Sequence, residues 1–146
     1  METSDGVWPD RLPAVALRIA RPTDRLGEVL DFYCRDLGLP ELYRTTANGY
    51  QVVMVGLPGD KYHLEFTSHD DDSPGRAPSD VNLLVFYFAT EDQMFDVVNR
   101  LGECGHEPVG LDNPWWRENR AVAFADPDNW RIVLMPNPIP LVAQVR

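Results

Sequence analysis

The chain has 146 residues, 44% hydrophobic and 25% charged, which is the composition of a folded protein that can bury a core. Its net charge of −10 opposes binding to nucleic-acid phosphates or anionic lipid, both of which call for clustered Lys and Arg. No apolar run approaches the ~18 residues that span a bilayer, and Met1–Gly6 lacks the basic start and apolar stretch of a secretory signal, so a cytoplasmic protein is expected.

Residues 14–19, Ala-Val-Ala-Leu-Arg-Ile, alternate as a strand does, and Pro22-Thr23-Asp24 is expected to break the strand and cap a helix. Leu26, Val29, Leu30, Tyr33 and Leu37 follow at spacings of three and four and predict an amphipathic helix. Gly38 ends it, because glycine accepts the left-handed conformation just past a helix. Strands are predicted at about 41–47 and 50–57, joined by Asn48-Gly49, two residues that tolerate the positive φ of a tight hairpin turn. Pro58-Gly59-Asp60 leads into a further strand, Tyr62–Thr67. A first unit over about 14–68 therefore reads β, α, β, β, β.

A linker rich in Asp, Ser and Pro covers about 69–81, with Asp70-Asp71-Asp72 as a solvated run. The pattern then restarts over about 82–136. Leu83–Phe88 is a strand, and Thr90-Glu91-Asp92-Gln93 is a capping box. Met94, Val97, Val98 and Leu101 repeat the helical stripe, closed by Gly102 and Gly105. Strands near 107–110, 120–125 and 130–136 complete a second β, α, β, β, β, with Asp126-Pro127-Asp128-Asn129 as the last turn. Repetition of one order within a chain predicts one α+β domain of two tandem βαβββ units, forming curved mixed sheets around a cleft. Trp8 is read as an anchor for the N-terminal tail, and the proline-containing tail 136–146 as a segment that wraps a neighbour or frays.

Alternate side chains of a strand point to opposite faces. On that register Val15, Leu17, Ile19, Leu64, Phe66, Leu84, Phe86, Phe88, Ile132 and Leu134 face the helices. The concave set is Ala14, Ala16, Arg18, His63, Glu65, Thr67, Leu83, Val85, Tyr87, Arg131, Val133 and Met135. Apolar walls with a few directed polar groups suit a small-molecule pocket or a subunit interface with polar pairs. Arg18 and Glu65 are expected to pair, because an unpaired buried charge is costly. In a binding role Glu65 receives a cationic or hydrogen-bonding group and Arg18 an anionic one. His63 is either a general base or a structural hydrogen-bonding residue. Trp115 and Trp116, in a loop with Arg117, have no periodic explanation and suit a pocket rim or a subunit contact. Cys34 and Cys104 form no CxxC pair, and both are expected to pack as ordinary side chains. There is no Gly-rich phosphate loop and no nucleophile elbow.

Leu17-Arg18-Ile19, Asp31-Phe32-Tyr33 and Leu37-Gly38-Leu39 together resemble the first unit of the vicinal oxygen chelate superfamily, which includes glyoxalases, extradiol dioxygenases and bleomycin-resistance proteins. His63-Leu64-Glu65-Phe66 is similar to its fourth strand, and Asp126-Pro127-Asp128-Asn129-Trp130-Arg131-Ile132 to its closing turn and final strand. The resemblance spans about 14–136 and implies a fold more than an activity. Metal-using members place four ligands on the concave face, and the matching positions here are Ala14, Leu83, Glu65 and Val133, of which only Glu65 can bind a metal. His69 and His106 are the remaining histidines from which a third ligand could come. The resemblance implies a homodimer, and the departure from its ligand pattern a metal-independent small-molecule binder with no cofactor. Its substrate-binding candidates are Arg18, His63, Glu65, Tyr87, Trp115, Trp116 and Arg131, with His63 and Glu65 also the catalytic candidates. The alternatives are a metal-dependent lyase or dioxygenase using His63 and Glu65, or a metal-free isomerase or epimerase with either as base.

Overall fold

A computed structural model describes residues 10–60, 62–71 and 73–139, so Trp8, Asp72 and the tail beyond Ile139 lie outside the described residues. The first unit comprises β1 (Leu17–Pro22), α1 (Leu26–Leu30) running directly into a π-helical stretch (Asp31–Asp36), β2 (Glu41–Ala47), β3 (Tyr50–Val55) and β4 (Tyr62–His69). The second comprises β5 (Leu83–Tyr87), α2 (Glu91–Glu103), α3 (Trp115–Glu118), β6 (Val122–Ala125) and β7 (Arg131–Met135). The strands form one sheet in the order β1-β4-β3-β2 and another in the order β5-β7-β6. In each the first strand of the unit runs parallel to the last, and the remaining pairs are antiparallel.

Local chemistry explains most of these elements. Asn48 and Gly49 take φ values of 55° and 82°, the left-handed pair that a two-residue hairpin requires, and join β2 to β3. Thr90 caps α2 by accepting the Gln93 amide N–H at 3.2 Å. Gly38 sits at φ 97° where the first helix ends. There the Arg100 side chain, reaching across from α2, donates to the carbonyls of Asp36 and Leu37 at 3.0 and 2.5 Å. These are carbonyls that a helix end leaves without partners of its own.

Four local expectations are corrected. β1 starts at Leu17 rather than Ala14 and includes Pro22, because an edge strand tolerates a residue without an N–H. Thr23 does not cap α1; its hydroxyl accepts the Arg25 N–H, and Arg25 occupies the cap position. The strand predicted at 107–110 shrinks to one bridge, Val109 to Ala123, since Pro108 cannot donate to a ladder. Cys34 is half-buried, but Cys104 is exposed at the end of α2 rather than packed.

Both units contribute to one core. Leu26, Val29, Phe32 and Tyr33 from the first helix meet Val53, Val55, Leu64 and Phe66 of the first sheet, and Met94, Leu101, Phe124, Ile132 and Leu134 of the second unit. Each sheet thus turns its helix side into that core. The helices cover β3 and β4 but not the edge strand: Leu17 and Ile19, expected to be covered, are 62% and 55% exposed, as is Val15 just before them.

A buried polar node ties the units together. Arg21 at the end of β1 meets Asp126 Oδ2 at 3.2 Å, and the Tyr33 hydroxyl donates to the same oxygen at 2.6 Å. Asp126 Oδ1 accepts the backbone N–H groups of Asp128 and Trp130 at 2.8 and 2.9 Å, so this buried carboxylate is fully engaged. The Arg21 guanidinium also lies 4.5 Å from the Trp130 ring centre. Burial pushes the Tyr33 phenol well above its usual range. A second contact joins Asp36 to His106 Nε2 at 2.8 Å. Burial works to raise the Asp36 carboxyl, but hydrogen bonds from His106, Arg35 and Cys104 outweigh it and hold the group below its usual range.

Candidate functional site

Leu64 and Phe66 point into the core, so His63, Glu65 and Thr67 point the other way. On β7 Ile132 and Leu134 are core residues, so Arg131, Val133 and Met135 face outward likewise. The buried cluster and the hollow on the second outward face include no residue of the first. Within one chain the expected concave residues therefore do not surround one hollow; they form two half-sites.

The first half-site is on the outer face of the first sheet. Arg18 is the β1 partner of His63, and Ala20 that of Glu65, while Met54 of β3 lies opposite Glu65 on the other side. The expected ion pair is present, with Arg18 Nε 2.6 Å from Glu65 Oε1. Glu65 is only 8% exposed, whereas half of the Arg18 side chain is open to solvent. His63 is half-buried, and its ring packs against Gly56, where an added Cβ would come within 3.0 Å of it.

The second half-site is on the outer face of the second sheet. Ala123, Val133 and Met135 are buried there against Leu83, Val85, Val109, Leu111, Trp116 and Ala121. Trp116 belongs to α3, a single helical turn held by Asn113, which accepts the Trp115 N–H at its side-chain oxygen and the Trp116 N–H at its carbonyl. The tryptophans therefore sit on a short helix rather than an irregular loop. Trp116 covers the apolar face, and Trp115, 47% exposed, packs edge-on against it. A hollow of about 470 Å³ opens beside Trp116, lined also by Val109, Leu111, Asp112, Arg117 and Ala123. Arg131 is mostly buried, held by Asn129 Oδ1 at 2.6 Å and by Asp80 at 3.4 Å, and its Nε has no hydrogen-bond partner. Tyr87 is partly exposed on β5.

Within one chain the described residues do not by themselves supply a divalent-metal site. Ala14 lies outside β1, so the strand residues beside Glu65 are Arg18 and Ala20, not the position expected from the resemblance. Arg18 neutralises Glu65 and opposes an approaching cation. His106 is held by Asp36, and His69 Nδ1 accepts the Asp71 N–H at 3.1 Å while its ring packs on Tyr50. Among the described residues no group of three His, Cys, Asp or Glu side chains is placed to hold an ion.

Reading the sequence missed the node of Arg21, Tyr33 and Asp126. The available signal was a charge, Arg21, continuing the apolar series Leu17 and Ile19 on the helix side of β1.

Among the described residues no helix is long and apolar enough to cross a membrane. Residues 17–67 match the family model of the YycE-like N-terminal domain, and residues 81–136 that of the YycE-like C-terminal domain. The uncharacterized protein YycE of Bacillus subtilis (strain 168) is 41% identical over 123 residues, 84% of this chain and 88% of that protein. A crystal structure of a YycE protein of unknown function from Bacillus subtilis has a TM-score of 0.77 at 37% identity, covering 90% of this chain and 95% of its own. The fold extends to TnmS3, an antibiotic binding protein from Streptomyces sp. CB03234, with a TM-score of 0.61 at 22% identity over 85% of this chain and 97% of that one. It extends also to the fosfomycin resistance protein FosX of Listeria monocytogenes, solved with Mn(II), with a TM-score of 0.62 at 14% identity over 88% and 95%. By sequence and by fold, this chain belongs to the YycE-like family within the vicinal oxygen chelate superfamily.

Proposed function

We propose that this protein binds a small organic molecule without a metal ion, in the cytoplasm, in a cleft completed by a second copy of the chain. The observation that carries the reading is the state of Glu65. It is the one residue with a metal donor among the four positions expected to supply ligands, and Arg18 occupies it at 2.6 Å. The opposite position, Val133, is buried among apolar side chains that suit an organic ligand better than an ion.

The separation of the two outward faces supports a second copy. Arg18, His63 and Glu65 lie on one outer face, and Tyr87, Arg131, Trp115 and Trp116 on the other. A cleft that uses both sets brings the first unit of one copy against the second unit of another. The exposed Leu17 and Ile19 at the β1 edge offer apolar surface for such a contact. The antibiotic-binding role of TnmS3, on the same fold, supports sequestration as a use for the cleft.

Elemental analysis of the purified protein, with its mass in solution by light scattering, tests the proposal. The expected result is a dimer with substoichiometric divalent metal and a melting temperature unchanged by chelator. A stoichiometric ion that Glu65→Gln releases would establish the metal-dependent lyase or dioxygenase alternative, with His63 and Glu65 at its centre, and a monomer would remove the shared cleft.

A further inference from the structure

The chemistry of the ligand can be narrowed from the first half-site; this step rests on the binding function proposed above. Arg18 and His63 are partners across the parallel β1–β4 pair, so their side chains stand side by side on the outer face. Arg18 is anchored rather than loose, because its Nε donates to a buried carboxylate, Glu65, at 2.6 Å. A guanidinium carries five N–H donors. Among the described residues the only other partner of Arg18 is the Met54 thioether, 3.5 Å from NH1 and a weak acceptor. The terminal nitrogens are therefore accessible to a ligand, on a side chain half exposed to solvent.

His63 stands on the same face. Its ring is half-buried and located by Gly56, yet among the described residues it makes no hydrogen bond. Its ring nitrogens are not among the buried polar atoms without a partner, so they stay open to solvent and to a ligand. Arg18 already offsets the charge of Glu65 at Oε1, so a cationic group gains less here than an anionic one does from Arg18. The net charge of −10 acts at long range and is screened beyond about 8 Å at physiological salt, so the local donors decide.

We infer that the cleft takes an organic ligand bearing an oxyanion, a carboxylate or a phosphonate, bound by the terminal N–H groups of Arg18 with a His63 ring N–H beside them, and that Glu65 is a positioning residue that aims Arg18. Charge-assisted and bidentate contacts of this kind suit a planar guanidinium better than an ammonium.

Four phenyl probes of similar size test this by calorimetry on the full-length protein: phenylphosphonate, benzoate, benzamide and benzylamine. One or both anions bind, and the stronger of the two identifies the head group. Arg18→Gln weakens that anion at least tenfold, and His63→Gln weakens it less. Glu65→Gln, which keeps an acceptor for Arg18 Nε, retains binding, whereas Glu65→Ala loses most of it while the urea midpoint of the free protein changes little. Benzamide or benzylamine binding as tightly as the anions, or anion binding unchanged in Arg18→Gln, overturns the inference and leaves the small-molecule reading standing. Failure of all four probes to bind counts against both.

Discussion

Replacing Arg21 by methionine tests the polar node that joins the two units. The Arg21 side chain is 11% exposed and that of Asp126 1%, so the substitution strands a carboxylate in the interior. Breaking a buried pair from one side costs about 3–5 kcal/mol, and losing the stacking on Trp130 removes about 0.5–2 kcal/mol more. Against this, Asp126 keeps the Tyr33 hydroxyl and two backbone N–H groups, and methionine fills much of the vacated volume. These opposing effects place the loss near the low end, about 3 kcal/mol. With a urea slope of about 1.5–2 kcal/mol/M, the midpoint falls by roughly 1.5–2 M. Urea titration followed by circular dichroism, at one fixed protein concentration, reads this directly. Combining the change with Asp126→Asn removes the stranded charge, so the double variant is more stable than the sum of the singles predicts, by about 1.5 kcal/mol or more. A loss below about 1 kcal/mol for Arg21→Met, or strict additivity in the cycle, refutes the view that a buried ion pair couples the units.

Two further outcomes follow from the same structure. The folded Asp36 carboxyl lies below its ordinary value of 3.8, so as pH falls the unfolded chain takes up the proton first. The stability it contributes is present above 3.8 and is lost as pH falls through the lower folded value. Urea midpoints measured from about pH 4 down to about pH 2 therefore drop less steeply in Asp36→Asn than in the native chain, and equal slopes contradict the assignment. Gly49→Ala places a side chain at φ 82° with its Cβ 3.0 Å from His69 Nε2. It destabilises by about 1–2 kcal/mol, and a change within about 0.3 kcal/mol shows that the β2–β3 hairpin does not need this turn geometry.

The parts of the fold that were legible in the sequence are those set by neighbours along the chain. Asn48-Gly49 announces a hairpin because only a few residues accept two successive positive φ angles. Thr90, three residues before Gln93, announces a helix start because the hydroxyl can reach that N–H. Where local rules fail, a tertiary fact intervenes. Pro22 reads as a strand breaker, yet at a sheet edge its missing N–H breaks no ladder, and the whole strand moved three residues along the chain. Residues 107–110 carry the composition of a strand, but Pro108 leaves only Val109 to form a bridge. For the candidate site, strand alternation correctly placed Arg18 beside Glu65, whereas Ala14 fell outside the strand and lost its assigned position.

Taken alone, the order of residues determines the duplicated units, the helical stripes, the Asn48-Gly49 turn and the parity of the four strands that carry the expected concave set, because each depends on interactions over a few positions. It does not determine which way the two units are stacked. That was decided by packing between residues far apart in the chain: Phe32 and Tyr33 against Leu101, Phe124 and Leu134, and Arg21 against Asp126. Burying the helix sides of both sheets in one core turns Glu65 and Val133 away from it. Side-chain alternation names the face a residue occupies, and only the assembled core says what that face meets.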